Sequence, residues 1–413
     1  MQGAGRAGSN GPFSWVIDRV AGFAMRGMLN RMNTGLATGV LKGELPNGSP
    51  CILGGRAPGP VAVVRLNRWR GLWRVATGGS IGLYRGWEKG EWESPDPLQL
   101  FDLFVRNRIT LGETARSGGL PRISGRILGW MRRNNKAGAR RNIEFHYDLG
   151  NDFYAQWLDP NLTYSSAIFA EPICADEPLL DAQNRKIAAL LDRLSLHKDC
   201  SILEIGCGWG SLAQAALDRG IGSYHGITLS QEQQQLAQER LAHFGDKAQI
   251  TLTDYRDVAA QYDAIVSAEM VEAVGQEYWP NYIATIANAL RPCGKAAIQY
   301  IRIEDDIFDA YANNVDFIQA YIFPGGMLLS ESRFRALAEQ AGLEWRDQVD
   351  FGAHYAETLR RWRAQFDAAV AEDRLPKQFD EKFIRLWRYY LMYCEGGFRG
   401  GGINVAQVTL VKK

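Results

Sequence analysis

Ile202-Leu203-Glu204-Ile205-Gly206-Cys207-Gly208-Trp209-Gly210 carries an apolar run into three glycines at alternate positions, and Ser211 to Leu217 then reads as a helix. A strand that ends in a glycine loop and enters a helix is the ligand-binding turn of doubly wound α/β proteins. The spacing is G-x-G-x-G rather than the G-x-G-x-x-G of dinucleotide sites, so no pyrophosphate need sit here. Without Cβ atoms the backbone can come close to a small zwitterionic ligand.

That loop needs a sheet beneath it. From Ile143 onward the chain alternates: a helix at Asp181 to Leu194, strands at Ser201 and at Tyr224 to Ile227, and a polar helix at Gln231 to Phe244. Strands at Gln249 to Leu252 and Asp263 to Ser267 follow, then a helix at Trp279 to Leu290, stopped by Pro292-Cys293-Gly294, and a strand at Ala296 to Ile301. Such alternation predicts a mostly parallel sheet covered on both faces. Ligands of these folds bind at the carboxyl ends of the strands, so site residues should follow strands. Glu204 inside the strand, with this glycine spacing, is the pattern of S-adenosylmethionine enzymes. Two late stripes, Leu359, Trp362, Phe366, Val370 and Phe383, Leu386, Trp387, Tyr390, Leu391, Cys394, have helical spacing and read as core. Val405 to Val411 closes the chain as a strand.

The 413 residues suit two or three domains. A net charge of +1 names no partner. No apolar run approaches the roughly 20 residues that span a bilayer, and the N-terminus lacks a signal-peptide core. Six cysteines and five histidines are scattered without metal or CxxC spacing, which predicts reduced thiols, a cytoplasmic location and no metal. Residues 1–12, rich in Gly, Ser and Asn, are expected to be disordered. Residues 13–111 read as a small α+β domain: an amphipathic helix from Phe13 to Met32, strands at Val61 to Leu66 and Ser80 to Tyr84, and a helix at Leu98 to Val105. Trp69, Trp73, Trp87 and Trp92 crowd one span, which suits either a membrane interface or a small aromatic core. Residues 112–143 form a basic linker, with no acid between Thr114 and Ile143 and with Ile123, Ile127, Leu128, Trp130 and Met131 interleaved. An anionic leaflet attracts such a segment by about 1 kcal/mol per charge, and no base-recognition motif argues for nucleic acid. The remainder, 144–413, reads as the α/β domain that carries the glycine loop.

Several motifs together resemble the cyclopropane-fatty-acid synthase family: His146-Tyr147-Asp148-Leu149-Gly150-Asn151-Asp152-Phe153-Tyr154, Asp159-Pro160, Tyr164-Ser165-Ser166-Ala167, the glycine loop, Gly226 to Gln233 and Tyr321 to Gly326. The resemblance covers about residues 145–413. It extends weakly to Gly79 to Tyr84 and Gly86 to Glu93, which are similar to the family's lipid-binding module. It implies a Rossmann-like class I methyltransferase domain behind a smaller α+β lipid-binding domain. The implied reaction is methyl transfer from S-adenosylmethionine to a cis double bond of a phospholipid acyl chain. A peripheral enzyme on the inner face of the cytoplasmic membrane, acting on bilayer phospholipid as a homodimer, goes with that reading. The implied cofactor residues are Tyr164, Ser165, Gly206, Gly208, Trp209, Gly210, Thr228, Leu229 and Gln233, with Asp254 and Tyr255 expected beside the adenine.

An isolated alkene is a weak nucleophile, so it needs a strong electrophile in a dry pocket, a way to stabilise the carbocation formed, and a proton acceptor. In the family the implied acceptor is a bound bicarbonate. Matched by motif, Glu272 and Tyr321 keep the carboxylate and phenol, and Ile301 keeps a backbone contact. Ser166 replaces a cysteine, Gln299 and Ala273 replace histidines, and Glu269 stands where the residue is usually small. Ser166 and Gln299 still offer hydrogen-bond donors to an anion. Glu269 reads as a local base, a repulsive charge, or a solvated or salt-bridged carboxylate. The family's product is a cyclopropane, and the changed pocket leaves a methyl-branched unsaturated chain as the alternative. A methyltransferase of the same fold acting on a soluble amine is the competing function.

Overall fold

The computed structural model describes residues 14–112 and 149–413, with backbone alone for 14–24. The expected disorder at 1–12, all but the first residue of the basic linker, and His146-Tyr147-Asp148 lie outside the described residues. The chain divides into two compact units, 1–121 and 122–413. No helix among the described residues is long and apolar enough to cross a membrane.

In the first unit α1 (Ser14–Gly35) precedes a sheet of β1 (Val40–Glu44), β2 (Pro50–Gly54), β3 (Val61–Leu66) and β4 (Trp92–Glu93), ordered β2-β1-β3-β4. The strand expected at Ser80 to Tyr84 is instead helix, the second half of α2 (Trp69–Glu88), which breaks at Gly79 with φ +52°. A five-residue apolar run fits either state. Here Gly82, Leu83 and Gly86 are buried together, a helical stripe, and the Trp92 indole donates to the Leu83 carbonyl at 2.8 Å. The crowded tryptophans divide: Trp92 is core, Trp69 and Trp87 are half-buried, and Trp73 is exposed. Helices α3 (Pro97–Arg106) and α4 (Arg108–Leu111) complete the unit.

The second unit begins with α5 (Asn151–Tyr154) and α6 (Leu179–Asp192). Then come β5 (Ser201–Ile205), α7 (Ser211–Asp218), β6 (Ser223–Thr228), α8 (Gln231–Leu241), β7 (Ala248–Leu252), β8 (Tyr262–Ala268), α9 (Trp279–Ala289) and β9 (Leu290–Ile303). Helices α10 (Asp305–Ala312) and α11 (Phe317–Tyr321), the short β10 (Leu329–Ser330), α12 (Glu331–Gln340) and β11 (Leu343–Asp350) lead to two long helices. Those are α13 (Gly352–Ala371) and α14 (Glu381–Arg399), before the final β12 (Ile403–Lys412). The sheet runs β11-β12-β9-β8-β5-β6-β7, with β10 beside β9. From β9 to β7 the strands are parallel, and β12 and β11 run antiparallel.

Parallel strands are covered on both faces, which is why β5 and β8 are near-continuous buried apolar runs. Alternation sends Ile202 to one face, against Ile187 and Leu190 of α6 and Leu212 of α7, and Leu203 to the other, with Ile283 and Ile286 of α9. The expected helices and strands of the Rossmann-like sheet are present. The turn at Pro292 to Gly294 does not separate a helix from a new strand, because β9 already begins at Leu290. β5 pairs with β6 on one side and β8 on the other. The chain leaves β5 in one direction and resumes at β8 in the other, which opens a crevice at the carboxyl ends of these two strands.

Candidate active site

The glycine loop fills the β5 side of that crevice. Gly206, Gly208 and Gly210 have φ values of +84°, +50° and +83°, a region costly for side-chain-bearing residues. Their surroundings separate them. A Cβ on Gly206 would sit 2.7 Å from Met270, and one on Gly210 would sit 3.1 Å from Ala237. A Cβ on Gly208 would meet nothing within 4 Å. The outer two glycines let the loop pack, and Gly208 opens it to a ligand. The loop is pinned by Gly206 and Cys207 N–H groups, both donating to the Ile227 carbonyl at 3.0 Å. Trp209 ties it to α5: its indole N–H donates to Asn151 Oδ1 at 2.7 Å, and its ring lies 5.2 Å from that of Tyr154.

After β6, Thr228 Oγ1 donates to Gln233 Oε1 at 2.8 Å, with half-buried Leu229 between β6 and α8. This neutral pair stands where a carboxylate often holds a ribose. After β7, Asp254 accepts from Arg256 Nε and Nη2 at 2.7 and 2.6 Å, and Arg256 lies 5.3 Å over the buried Tyr255 ring. Asp254 is therefore engaged by its neighbour, and the adenine contact expected there falls more naturally to Tyr255.

A strap, residues 163–169, brings Tyr164, Ser165 and Ser166 over the same crevice. α6 grips it through Gln183, which donates to the Ser165 carbonyl at 2.9 Å, and Lys186, which donates to Ser165 Oγ at 2.7 Å. α13 grips it through Thr358 Oγ1 and His354 Nδ1, which accept from the Ala167 and Phe169 N–H groups at 3.1 and 3.0 Å. Tyr164 meets the Tyr390 hydroxyl at 2.8 Å, stacks towards Phe323 and contacts Trp362. Open glycine backbone at Gly208, hydroxyls at Ser165 and Thr228 and aromatic faces at Tyr164 fit S-adenosylmethionine by their chemistry.

The second half of the site centres on Glu269, directly after β8. This non-glycine residue has φ +51°. Its Oε1 accepts from the Ser166 N–H at 2.8 Å and from Gln299 Nε2 at 2.7 Å, and its Oε2 accepts from the Tyr355 hydroxyl at 2.6 Å. Glu269 is thus half-buried, with its carboxyl group in a cradle of three donors. Burial pushes its pKa up and those hydrogen bonds pull it back. Ser166 contributes its backbone, because its hydroxyl donates to the Ala167 carbonyl at 3.0 Å. Gln299 is fully engaged, since Nε2 also reaches the Ser166 carbonyl at 3.4 Å and Oε1 accepts from Gln407 at 3.0 Å. The donors expected to hold a bicarbonate are those that hold the Glu269 carboxylate, and the residues present do not fit a second anion.

Glu272 lies next to this cradle. Its Oε1 accepts from the Ile301 N–H, and its buried Oε2 has no hydrogen-bond partner. Burial, then the Glu269 charge, raises its pKa to about 8. Glu272, Ile301, Ser166 and Gln299 are therefore brought together as expected. Tyr321, at the end of α11, stacks on Phe317 at 5.6 Å. The Tyr355 phenol reaches the cradle and is held by stacking on Phe398 at 4.4 Å. Sequence reasoning missed it because Tyr355 simply continues the Leu359, Trp362, Phe366 stripe back by one turn. It also missed Lys186, although a lysine beside Ala182, Ile187 and Leu190 on an apolar helix face was a visible signal.

Comparison with known proteins places the chain in a family. Residues 134–408 match the mycolic acid cyclopropane synthetase family. The chain is 40% identical over 359 residues to a tuberculostearic acid methyltransferase of Mycobacterium tuberculosis, covering 82% of this chain and 81% of that one. It is 34% identical over 369 residues to the cyclopropane-fatty-acyl-phospholipid synthase of Escherichia coli, covering 89% and 91%. A solved mycolic acid cyclopropane synthase in complex with SAH and CTAB superimposes with a TM-score of 0.62 at 29% identity, covering 66% of this chain and 98% of that one. With the open glycine loop, the carboxylate cradle after β8 and these relatives in hand, the chain belongs to the mycolic acid cyclopropane synthetase family and is an S-adenosylmethionine-dependent methyltransferase.

Proposed function

We propose that this enzyme methylates a cis double bond in an unsaturated phospholipid acyl chain and releases a methyl-branched unsaturated chain, with Glu269 as the proton acceptor. The observation that carries this reading is the Glu269 carboxylate seated on Ser166 N–H, Gln299 and Tyr355. When bound, S-adenosylmethionine supplies a sulfonium methyl, an electrophile strong enough for an isolated alkene. The alkene π pair would form the new carbon–carbon bond as the methyl–sulfur bond breaks, its electron pair leaving with the neutral thioether, and the adjacent chain carbon would become cationic. Tyr164, Phe323 and Tyr390 offer aromatic faces that stabilise that charge. Glu269 then accepts a proton, and the C–H pair left behind becomes the new double bond. The relative named a tuberculostearic acid methyltransferase supports a methylated rather than a cyclopropane product, and the synthase named for a fatty-acyl phospholipid supports the acyl-chain substrate.

The substrate sits in a bilayer, which calls for a peripheral docking surface. The outer face of the first unit's sheet supports one: Lys42 is paired in register with Ile52 and Val63, and Ile52 is 69% exposed. Flotation with anionic liposomes should weaken on Ile52→Glu, and unchanged flotation would remove that face from the proposal.

The test is reconstitution of purified protein with S-adenosylmethionine and liposomes of cis-monounsaturated phospholipid, followed by mass spectrometry before and after mild hydrogenation. A one-carbon gain that takes up two hydrogens is the expected branched alkene. A product that resists reduction is a cyclopropane and overturns the product assignment. No one-carbon gain overturns the substrate.

A further inference from the structure

Lys186 is 2% exposed, and its hydrogen bond goes to a neutral hydroxyl, Ser165 Oγ, rather than to a carboxylate. A buried ammonium with no direct ion pair is costly, because burial favours its neutral form. An apolar residue would cost nothing of the kind in that helix, whose neighbours Ala182, Ile187 and Leu190 are all buried.

The groups around Lys186 explain its presence. Asp159, from the turn after α5, faces it but is engaged with the Asn161 and Thr163 N–H groups at 2.9 and 2.8 Å. Glu204 of β5 faces it and accepts from the Tyr224 hydroxyl of β6 at 2.7 Å. Glu269 faces it from the end of β8, with the Tyr355 phenol of α13 on its far oxygen and the Glu272 carboxyl close by. Gln299 and Gln407 on β9 and β12 complete the surroundings without charge. Burial lowers the Lys186 pKa to about 8, and Glu269, Asp159 and Glu204 hold it up. In return its charge favours the ionised forms of Glu269 and Glu204 against their own burial.

We propose that Lys186 is a positioning residue for proton removal: its buried ammonium, fixed on the Ser165 hydroxyl, is the countercharge of the Glu269 carboxylate. This rests on Glu269 being the proton acceptor. Ser165 belongs to the cofactor side, so one cation serves both halves of the site. It sets a hydroxyl on the cofactor side and keeps the base of the other half charged.

The experiment compares Lys186→Gln, which can keep a hydrogen bond to Ser165 without the charge, with Lys186→Arg, which keeps the charge. Turnover on cis-monounsaturated liposomes is followed from pH 5 to 9. For Lys186→Gln the acid limb of kcat is expected to move up by about one pH unit, with KM for S-adenosylmethionine changed less than about threefold. Lys186→Arg should return the limb towards the wild-type position. A limb at the wild-type pH in Lys186→Gln overturns the proposal, even if kcat or thermal stability falls. If Lys186→Gln does not fold, Lys186→Met reads the same limb. Wild-type enzyme without methylated product would sink the functional reading itself, an outcome distinct from an unshifted limb in an active enzyme.

Discussion

The glycine loop and the Glu269 cradle stand at the ends of two hydrogen-bonded strands, β5 and β8, yet they are assembled in opposite ways. The loop is local: three glycines within five residues, positive φ at each, and backbone N–H groups tied to the next strand. The cradle is assembled from afar. Ser166, Gln299 and Tyr355 reach Glu269 across 103, 30 and 86 positions of sequence. Cofactor recognition has been left to backbone shape, which tolerates little change. Proton removal has been left to side chains, which can be exchanged one at a time while the sheet stays the same. Two enzymes can therefore share a methyl donor site and differ in what they make of the cation.

The largest effect is expected where the loop is open. Gly208→Ala puts a methyl group into the open loop and adds about 1–2 kcal/mol of left-handed strain. Its affinity for S-adenosylmethionine should fall by roughly 100-fold in calorimetry. Gly220, also at positive φ with open space around it, provides the control. Gly220→Ala should carry a similar backbone cost and keep its cofactor. Equal loss in both would mean that strain, not access, governs the loop.

Next comes the cradle. Glu269→Gln should lower turnover by about 100-fold or more, the range for a lost general base. Glu269→Gly vacates the three donors, and added bicarbonate should then restore part of the rate, whereas the wild type should be indifferent to it. Stimulation of the wild type by bicarbonate would reverse the comparison between the two halves.

A smaller change touches the phenol of the cradle. Tyr355→Phe removes a hydrogen bond to a carboxylate and should reduce kcat about tenfold. It should also move the acid limb upward, because the lost bond favoured the ionised form of Glu269. An unchanged kcat with an unmoved limb would remove Tyr355 from the cradle's chemistry.

The smallest effect is on stability. Folded Glu272 has a pKa raised to about 8. Its contribution is therefore complete below the ordinary glutamate pKa and is lost as pH rises through 8. Thermal unfolding of the wild type should drop between about pH 5 and 8, and Glu272→Gln should flatten that drop by about 2 °C. A parallel drop in the variant would assign the pH dependence to other groups, Glu204 first.

The same contrast explains what could be read from the sequence. Strand, glycine spacing and helix lie side by side at 202–217, so the loop and the Rossmann-like sheet were legible. Glu272, Gln299, Ser166 and Ile301 were found through family motifs, but their partners were not. Ser166 acts through its N–H, which any residue type supplies, so its hydroxyl was a misleading signal. Tyr355 lies in a stripe that looks like core and is partly core, through Phe398. Glu269 was visible as an anomaly, but only the fold shows that it faces donors instead of water. Ser80 to Tyr84 failed for a different reason: five apolar residues carry too little periodicity to choose between strand and helix.

The backbone at Glu269 sets an effective concentration. A dissolved anion must be captured from solution for every cycle, and its capture costs translational freedom. A carboxylate fixed to the chain is present once per molecule at any dilution, and its local concentration does not vary with the carbonate content of the medium. The φ of +51° is the conformational cost of that arrangement, about 1–2 kcal/mol. It also means that the proton cannot depart with its acceptor. With Glu269 as the proposed acceptor, each turnover would end with the proton leaving it through the surrounding side chains, and regeneration of the base would become a step of the cycle in its own right.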